Sequence, residues 1–177
     1  MRTVSVVLVF LVLAATASVK AQFSYTTNAD GVTLTITGYF GSPSLGAVNI
    51  PASINGLTVV NIGDSAFAGV LSQPQGEDSY PTIVTIPGSV TNIGENAFLY
   101  CTSLTNVIMA DGVITIGAGA FNDCPQLRSV TIAESVTLIG SNAFNLCDSL
   151  GNITIPSSVT NIASYTFADG HLNTAFF

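Results

Sequence analysis

Residues 86 to 104 read Ile86-Pro87-x-Ser89-Val90-x-x-Ile93-Gly94-x-x-Ala97-Phe98-x-x-Cys101-x-x-Leu104, and the same spacing returns 23 residues later, twice more after that, and in part before it. Phe98, Phe121, Phe144 and Phe167 form one column, and Ile93, Ile116, Ile139 and Ile162 a second. Val90, Val113, Val136 and Val159 form a third, and Ile86, Met109, Ile132 and Ile155 a fourth. Cys101, Cys124 and Cys147 repeat in the same register, as do Leu104, Leu127 and Leu150. An earlier turn joins through Ile62-Gly63 and Ala66-Phe67, with Phe67 lying 31 residues before Phe98. Agreement of this kind decides the fold, because a fixed period of 20 to 50 residues marks a stack of identical structural units.

Within one turn, Leu127-x-x-Val130-x-Ile132 ends with the period of two that belongs to a strand. Val136-x-x-Ile139-Gly140 reads as a shorter extended piece. Ser141-Asn142-Ala143-Phe144-x-x-Cys147 fits a single helical or 3₁₀ turn, with Ser141 as N-cap and Asp64 and Ser164 in the same column. One such unit cannot bury its own apolar face. Stacking units at about 4.8 Å buries each column against itself. The expected fold is therefore an α/β repeat solenoid, mainly parallel β with short helical or 3₁₀ turns. It makes five turns of 23 residues over 47–177.

The motif quoted above resembles the bacterial-surface (BspA-like) subtype of leucine-rich repeat, and the resemblance runs from residue 46 to residue 177. Ala110 and Ala133 depart from it at the proline, Ala163 at the glycine and Gly170 at the cysteine. The resemblance implies a secreted or surface-displayed binding scaffold, and it carries no catalytic residues to transfer to this chain.

Ahead of the repeats, Phe23-x-Tyr25 and Val32-x-Leu34-x-Ile36 alternate on either side of Asn28-Ala29-Asp30-Gly31. This predicts an antiparallel β-hairpin over 22–46 that caps the first turn. The Asn28–Gly31 stretch looks like a calcium loop only superficially. Asn55-Gly56 signals another tight turn. Residues 1–21 have the form of a secretory signal peptide. Arg2 precedes an apolar run from Val4 to Ala17, and Val19-Lys20-Ala21 places small residues at the cleavage site. Nothing later is long enough to span a membrane, so no insertion is expected after cleavage. At the other end, His171-Leu172-x-x-Ala175-x-Phe177 aligns, with one deletion, to the start of a further turn. The expectation is an uncapped edge that belongs to a longer parent or associates end to end with another chain.

The full chain carries three Lys and Arg against ten Asp and Glu, a net charge of −7. After cleavage Arg128 alone faces the ten acids, and the charge is near −9. Such a surface disfavours nucleic acid and anionic membranes. The only histidine is His171, so no base is available for a serine or cysteine nucleophile. Asp111 and Glu134 share a column, but the other acids are scattered, and no metal-spaced cluster or phosphate loop is present. The chain is read as a non-enzyme without a cofactor. The cysteines are expected as buried free thiols in one inward column.

Function is sought on the outward positions of the main strand. Thr85, Ile108, Thr131 and Thr154 form one column. Beside it run Asn106, Ser129 and Asn152, with Arg128 beyond. The insertion at 71–80 adds Glu77, Asp78 and Tyr80 on a loop. Together these residues make a hydroxyl- and amide-rich strip suited to an extracellular protein or glycan, with weak or multivalent contacts because aromatic anchors are missing. A structural segment of a surface stalk or matrix protein is the alternative. Ice binding through threonine columns is a third reading, weakened by Ile108.

Overall fold

A computed structural model of the chain describes residues 22–40, 46–69, 82–172 and 174–176. The signal-peptide region 1–21 and the 71–80 insertion lie outside the described residues. The chain opens with β1 (Phe23–Thr27) and β2 (Thr33–Tyr39), paired antiparallel. It then winds through five coils, each giving one strand to each of two faces. The first face takes β3 (Ala47–Asn49), β6 (Ile83–Ile86), β8 (Asn106–Met109), β10 (Ser129–Thr131) and β12 (Asn152–Thr154). The second takes β5 (Leu57–Ile62), β7 (Asn92–Ile93), β9 (Thr115–Ile116), β11 (Leu138–Ile139) and β13 (Asn161–Ile162). A short β4 (Ser53–Ile54) pairs back on β5 through Asn55-Gly56, whose φ angles of 56° and 81° suit Asn and Gly.

On the second face the strand order is β1-β2-β5-β7-β9-β11-β13, parallel from β2 onward. The hairpin thus sits at the end of the coil stack. Its turn is held by Asp30, whose carboxylate accepts from the amides of Val32 and Thr33 at 3.0 and 2.9 Å and from the Thr33 hydroxyl at 2.6 Å. The Thr33 hydroxyl, followed by the two amides, holds the Asp30 carboxyl below the usual carboxylate range.

Every column read from the period points inward over the middle coils. Val90, Val113 and Val136 are fully buried, as are Ile93, Ile116 and Ile139, and the phenylalanines stack along the axis. Ring centroids are 4.7 Å apart for Phe67–Phe98, 5.0 Å for Phe98–Phe121, 5.3 Å for Phe121–Phe144 and 5.6 Å for Phe144–Phe167. Tyr39 and Phe23 extend the stack into the hairpin, with Tyr39 5.5 Å from Phe67 and Phe23 5.2 Å from Tyr39.

The expected helical or 3₁₀ turn around each phenylalanine does not form; the segment is a run of turns. Two residues in this segment of each coil have positive φ: Ser65 and Gly69, Asn96 and Tyr100, Gly119 and Asp123, Asn142 and Leu146, Tyr165 and Asp169. Left-handed residues four apart prevent successive right-handed φ values, so a helix cannot propagate. Alternate amides reach the next coil instead, and those between them bond three residues back, as in Leu99 to Asn96 at 3.0 Å. Asn96, Phe98 and Tyr100 donate to the carbonyls of Ala118, Ala120 and Asn122 at 2.8 to 3.0 Å. The capping assignment changes for the same reason, because Asp64 accepts the Glu95 amide of the following coil at 2.8 Å.

The cysteines are free and buried. Each thiol donates to a phenylalanine carbonyl of the preceding coil: Cys101 to Phe67 at 3.3 Å, and Cys124 to Phe98 and Cys147 to Phe121 at 3.2 Å. The column therefore supplies donors to buried acceptors as well as filling space.

The glycine column is dictated by close approach. A Cβ on Gly117 would lie 2.7 Å from the Gly94 carbonyl carbon, and one on Gly140 would lie 2.5 Å from the Ala118 nitrogen. Backbone atoms cannot give way as a flexible side chain can. Gly117→Ala is expected to destabilise the fold by about 1–3 kcal/mol, read as a lowered urea midpoint. An unchanged midpoint would show that the coils separate freely there. In the last coil Ala163 holds the same column, and its amide still donates to the Ile139 carbonyl at 3.0 Å.

Candidate functional site

The first face carries the outward strip. Parallel register sets Asn49, Thr85, Ile108 and Thr131 side by side, and next to them Ala47, Ile83, Asn106 and Ser129. Ile108, Ser129, Thr131 and Arg128 are exposed, whereas Thr85 and Asn106 are half-buried. Thr105 helps to fix the coil edge by donating its hydroxyl to the Thr82 carbonyl at 2.8 Å.

The strip is not continuous to its end. β3, β6, β8 and β10 form one four-stranded sheet, while β12 pairs with β14 (Thr174–Phe176) in a separate two-stranded sheet. Asn152 and Thr154 are exposed on β12, so the structure separates them from Thr85, Asn106, Ile108, Ser129 and Thr131 by a seam. Glu77, Asp78 and Tyr80 lie outside the described residues. β14 follows the 22-residue spacing expected from the one-residue deletion, with Ala175 opposite Ile153.

The second face has an outward strip of its own, which the reading of the main strand left aside. Thr35, Asn61, Asn92, Thr115, Leu138 and Asn161 stand in register along it. Thr91, Thr137 and Thr160 flank them, and each hydroxyl donates to a carbonyl of the preceding coil at 3.2 to 3.4 Å. These donations leave hydroxyl lone pairs free as acceptors. The 23-residue register that revealed the inward columns contains this strip too, one residue out of phase with the Ile93 column.

Chemistry for catalysis is not assembled among the described residues. His171 lies 3.9 Å from Asp148 on the surface, and no group of three described His, Cys, Asp or Glu residues could hold a metal ion. Burial first, then the charge of the neighbouring Cys124, pushes the Cys147 thiol far up. The neighbouring Cys101 side chain, with burial, pushes the Cys124 thiol up as well. Protonated thiols of this kind are neither nucleophiles nor metal ligands at neutral pH. Among the described residues no helix is long and apolar enough to cross a membrane. What the arrangement offers chemically is two regular arrays of hydroxyls, amides and single aliphatic side chains.

Comparison with known proteins agrees with this architecture. The leucine-rich-repeat protein of T. pallidum (TpLRR) is 34% identical over 84% of this chain and 65% of its own, with a TM-score of 0.76. A leucine-rich-repeat protein of Bacteroides ovatus is 29% identical over 88% of this chain and 40% of its own, with a TM-score of 0.71. One from Bacteroides capillosus is 27% identical over 88% and 93%, with a TM-score of 0.52. This chain thus spans less than two thirds of the length of the first two. No curated protein matches it. The model of the BspA-type leucine-rich-repeat region matches residues 76–177 in six copies. With that match over more than half its length, the chain belongs to the BspA-type leucine-rich-repeat family.

Proposed function

We propose that this chain is a secreted or surface-associated module that binds an extracellular protein or glycan without catalysing a reaction. The observation that carries this reading is the in-register strip Thr85, Ile108 and Thr131 beside Asn106 and Ser129. Its groups sit one coil apart on a fixed scaffold, so many short contacts form at little ordering cost. Arg128, Asn152 and Thr154 border the strip, and Glu77, Asp78 and Tyr80 belong to the same proposed surface. The signal-like segment at 1–21 supports export. The net charge of −7 argues against nucleic acid as the partner.

The test is binding to immobilised extracellular proteins and glycans, with Ile108→Glu/Ser129→Glu against the unaltered protein. Both positions are exposed, so stability should change by about 0.5 kcal/mol or less for each. Affinity for any partner found should fall at least tenfold. Equal binding by the variant would remove the strip from the reading. A second reading, a segment of a longer stalk, draws support from the greater length of the T. pallidum and B. ovatus proteins. Self-association through the β13 and β14 edge belongs to that reading, and dilution during sedimentation would test it.

A further inference from the structure

The seam between β10 and β12 is a built feature. On one side of it the parallel ladder runs unbroken from β3 to β10, on the other it resumes between β12 and β14, and the second face stays paired across the same two coils through β11 and β13. The facing edges of β10 and β12 are therefore not laddered to one another, although the coils that carry them are joined behind. Burial is looser on the β10 side alone, since Ile153 and Ile155 on the β12 side keep only 2% exposure each. Val130 and Ile132 keep 8% and 7% exposure, where their column mates Val107 and Ile86 keep 1% and 0%.

A slot of about 250 Å³ opens at this place, lined by Val130, Thr131, Ile132, Glu134, Thr154 and Pro156. Its walls are of two kinds. Val130, Ile132 and Pro156 are apolar, and Glu134 supplies a carboxylate at the rim. Arg128 does not neutralise it, because the only ion pair among the described residues is His171–Asp148.

An aliphatic stem ending in a cation fits such a slot, with methylenes against the apolar wall and the charged end at the Glu134 carboxylate. We infer that the β10–β12 seam receives a lysine or arginine side chain from a basic segment of a partner protein. This rests on the binding-module reading and gives it a protein partner of stated charge. Complementarity favours it over a glycan, since an unpaired carboxylate on an acidic protein draws in a cation. Among the described residues no aromatic platform lines the slot for a sugar ring.

The probe is the peptide acetyl-Gly-Ser-Lys-Ser-Gly-amide, against the same peptide with norleucine in place of lysine. Backbone amide shifts of the isotope-labelled protein report its docking. Saturable shifts are expected at Val130, Thr131, Ile132 and Thr154. Association should weaken at least tenfold for the norleucine peptide and for Glu134→Gln. Shifts spread over all the exposed acids, shifts unchanged in Glu134→Gln, or no shifts at the slot would each overturn the inference. Loss of partner binding in Ile108→Glu/Ser129→Glu, with no peptide docking at the seam, would leave the wider reading standing. Peptide docking without any partner for the strip would separate the two the other way.

Discussion

Phe121→Ala, in the middle of the phenylalanine column, is expected to destabilise the protein by about 3–5 kcal/mol. Phe121 is fully buried, with rings at 5.0 Å on one side and 5.3 Å on the other, both within 5° of parallel. Removing it empties a space bounded by two coils whose backbones are already in contact, so collapse to fill the void is restricted. A solenoid adds a second consequence, because each unit is stabilised by its neighbours and little else. Weakening the middle of the stack uncouples the coils before it from those after it. Urea unfolding should therefore become broader, with a smaller m-value, besides shifting its midpoint. Phe167→Ala is the internal control. Phe167 is partly exposed and, among the described residues, has a stacking partner at 5.6 Å on one side only, so its loss should cost well under half as much. Equal costs at the two positions would refute the picture of a column stabilised from both sides.

That column was legible in the sequence because burial and period report the same thing. A residue every 23 positions that is always Phe, Ile or Val must face the axis, and Phe121, Ile116 and Val113 do. The hydrogen bonds were less legible. The reading of Ser141 as a helix cap assumed that partners lie within one turn, whereas alternate amides around Phe144 reach the following coil, as in Phe144 to Thr166 at 2.8 Å, and only those between them bond locally, as in Asn145 to Asn142 at 3.1 Å. Periodicity is silent on φ as well. Asn96, Gly119 and Asn142 occupy one left-handed column and suit it, but Tyr165 stands in the same column and Leu146 in the other, where the residue type gives no hint. The seam was invisible for a further reason. Coils four and five have the same length and pattern, so nothing in the spacing separates β10 from β12. The strip on the second face could have been found, since Asn92, Thr115, Leu138 and Asn161 keep the register, but a polar column carries no burial signal to draw attention to it.

Raising the pH above about 8.5 is expected to destabilise the fold through the cysteine column. An unfolded thiol ionises near pH 8.5, whereas the Cys124 and Cys147 thiols stay protonated well above that in the folded chain. Between the two values the native state binds protons that the unfolded state has released. Stability must then fall as pH rises, and the contribution is fully present only below the unfolded value. Each thiol can contribute up to about 1.4 kcal/mol per pH unit. Two thiols over two units can remove at most about 5.6 kcal/mol, comparable with the whole stability of a small domain. Tyr39, raised by burial, acts in the same direction at still higher pH. The cause is built into the repeat. Each of these thiols is enclosed by the stack and donates to a phenylalanine carbonyl, so ionisation would both bury a charge and leave that carbonyl without its donor. Urea midpoints measured from pH 7 to pH 10.5 should decline steeply above pH 8.5 in the unaltered protein and much less in Cys124→Ala/Cys147→Ala. The double variant will be weaker at pH 7, since the same carbonyls lose their donors, so the slope against pH decides and the starting value does not. If both proteins lose stability at the same rate, the thiols ionise as freely folded as unfolded, and the column is more open to water than its burial allows.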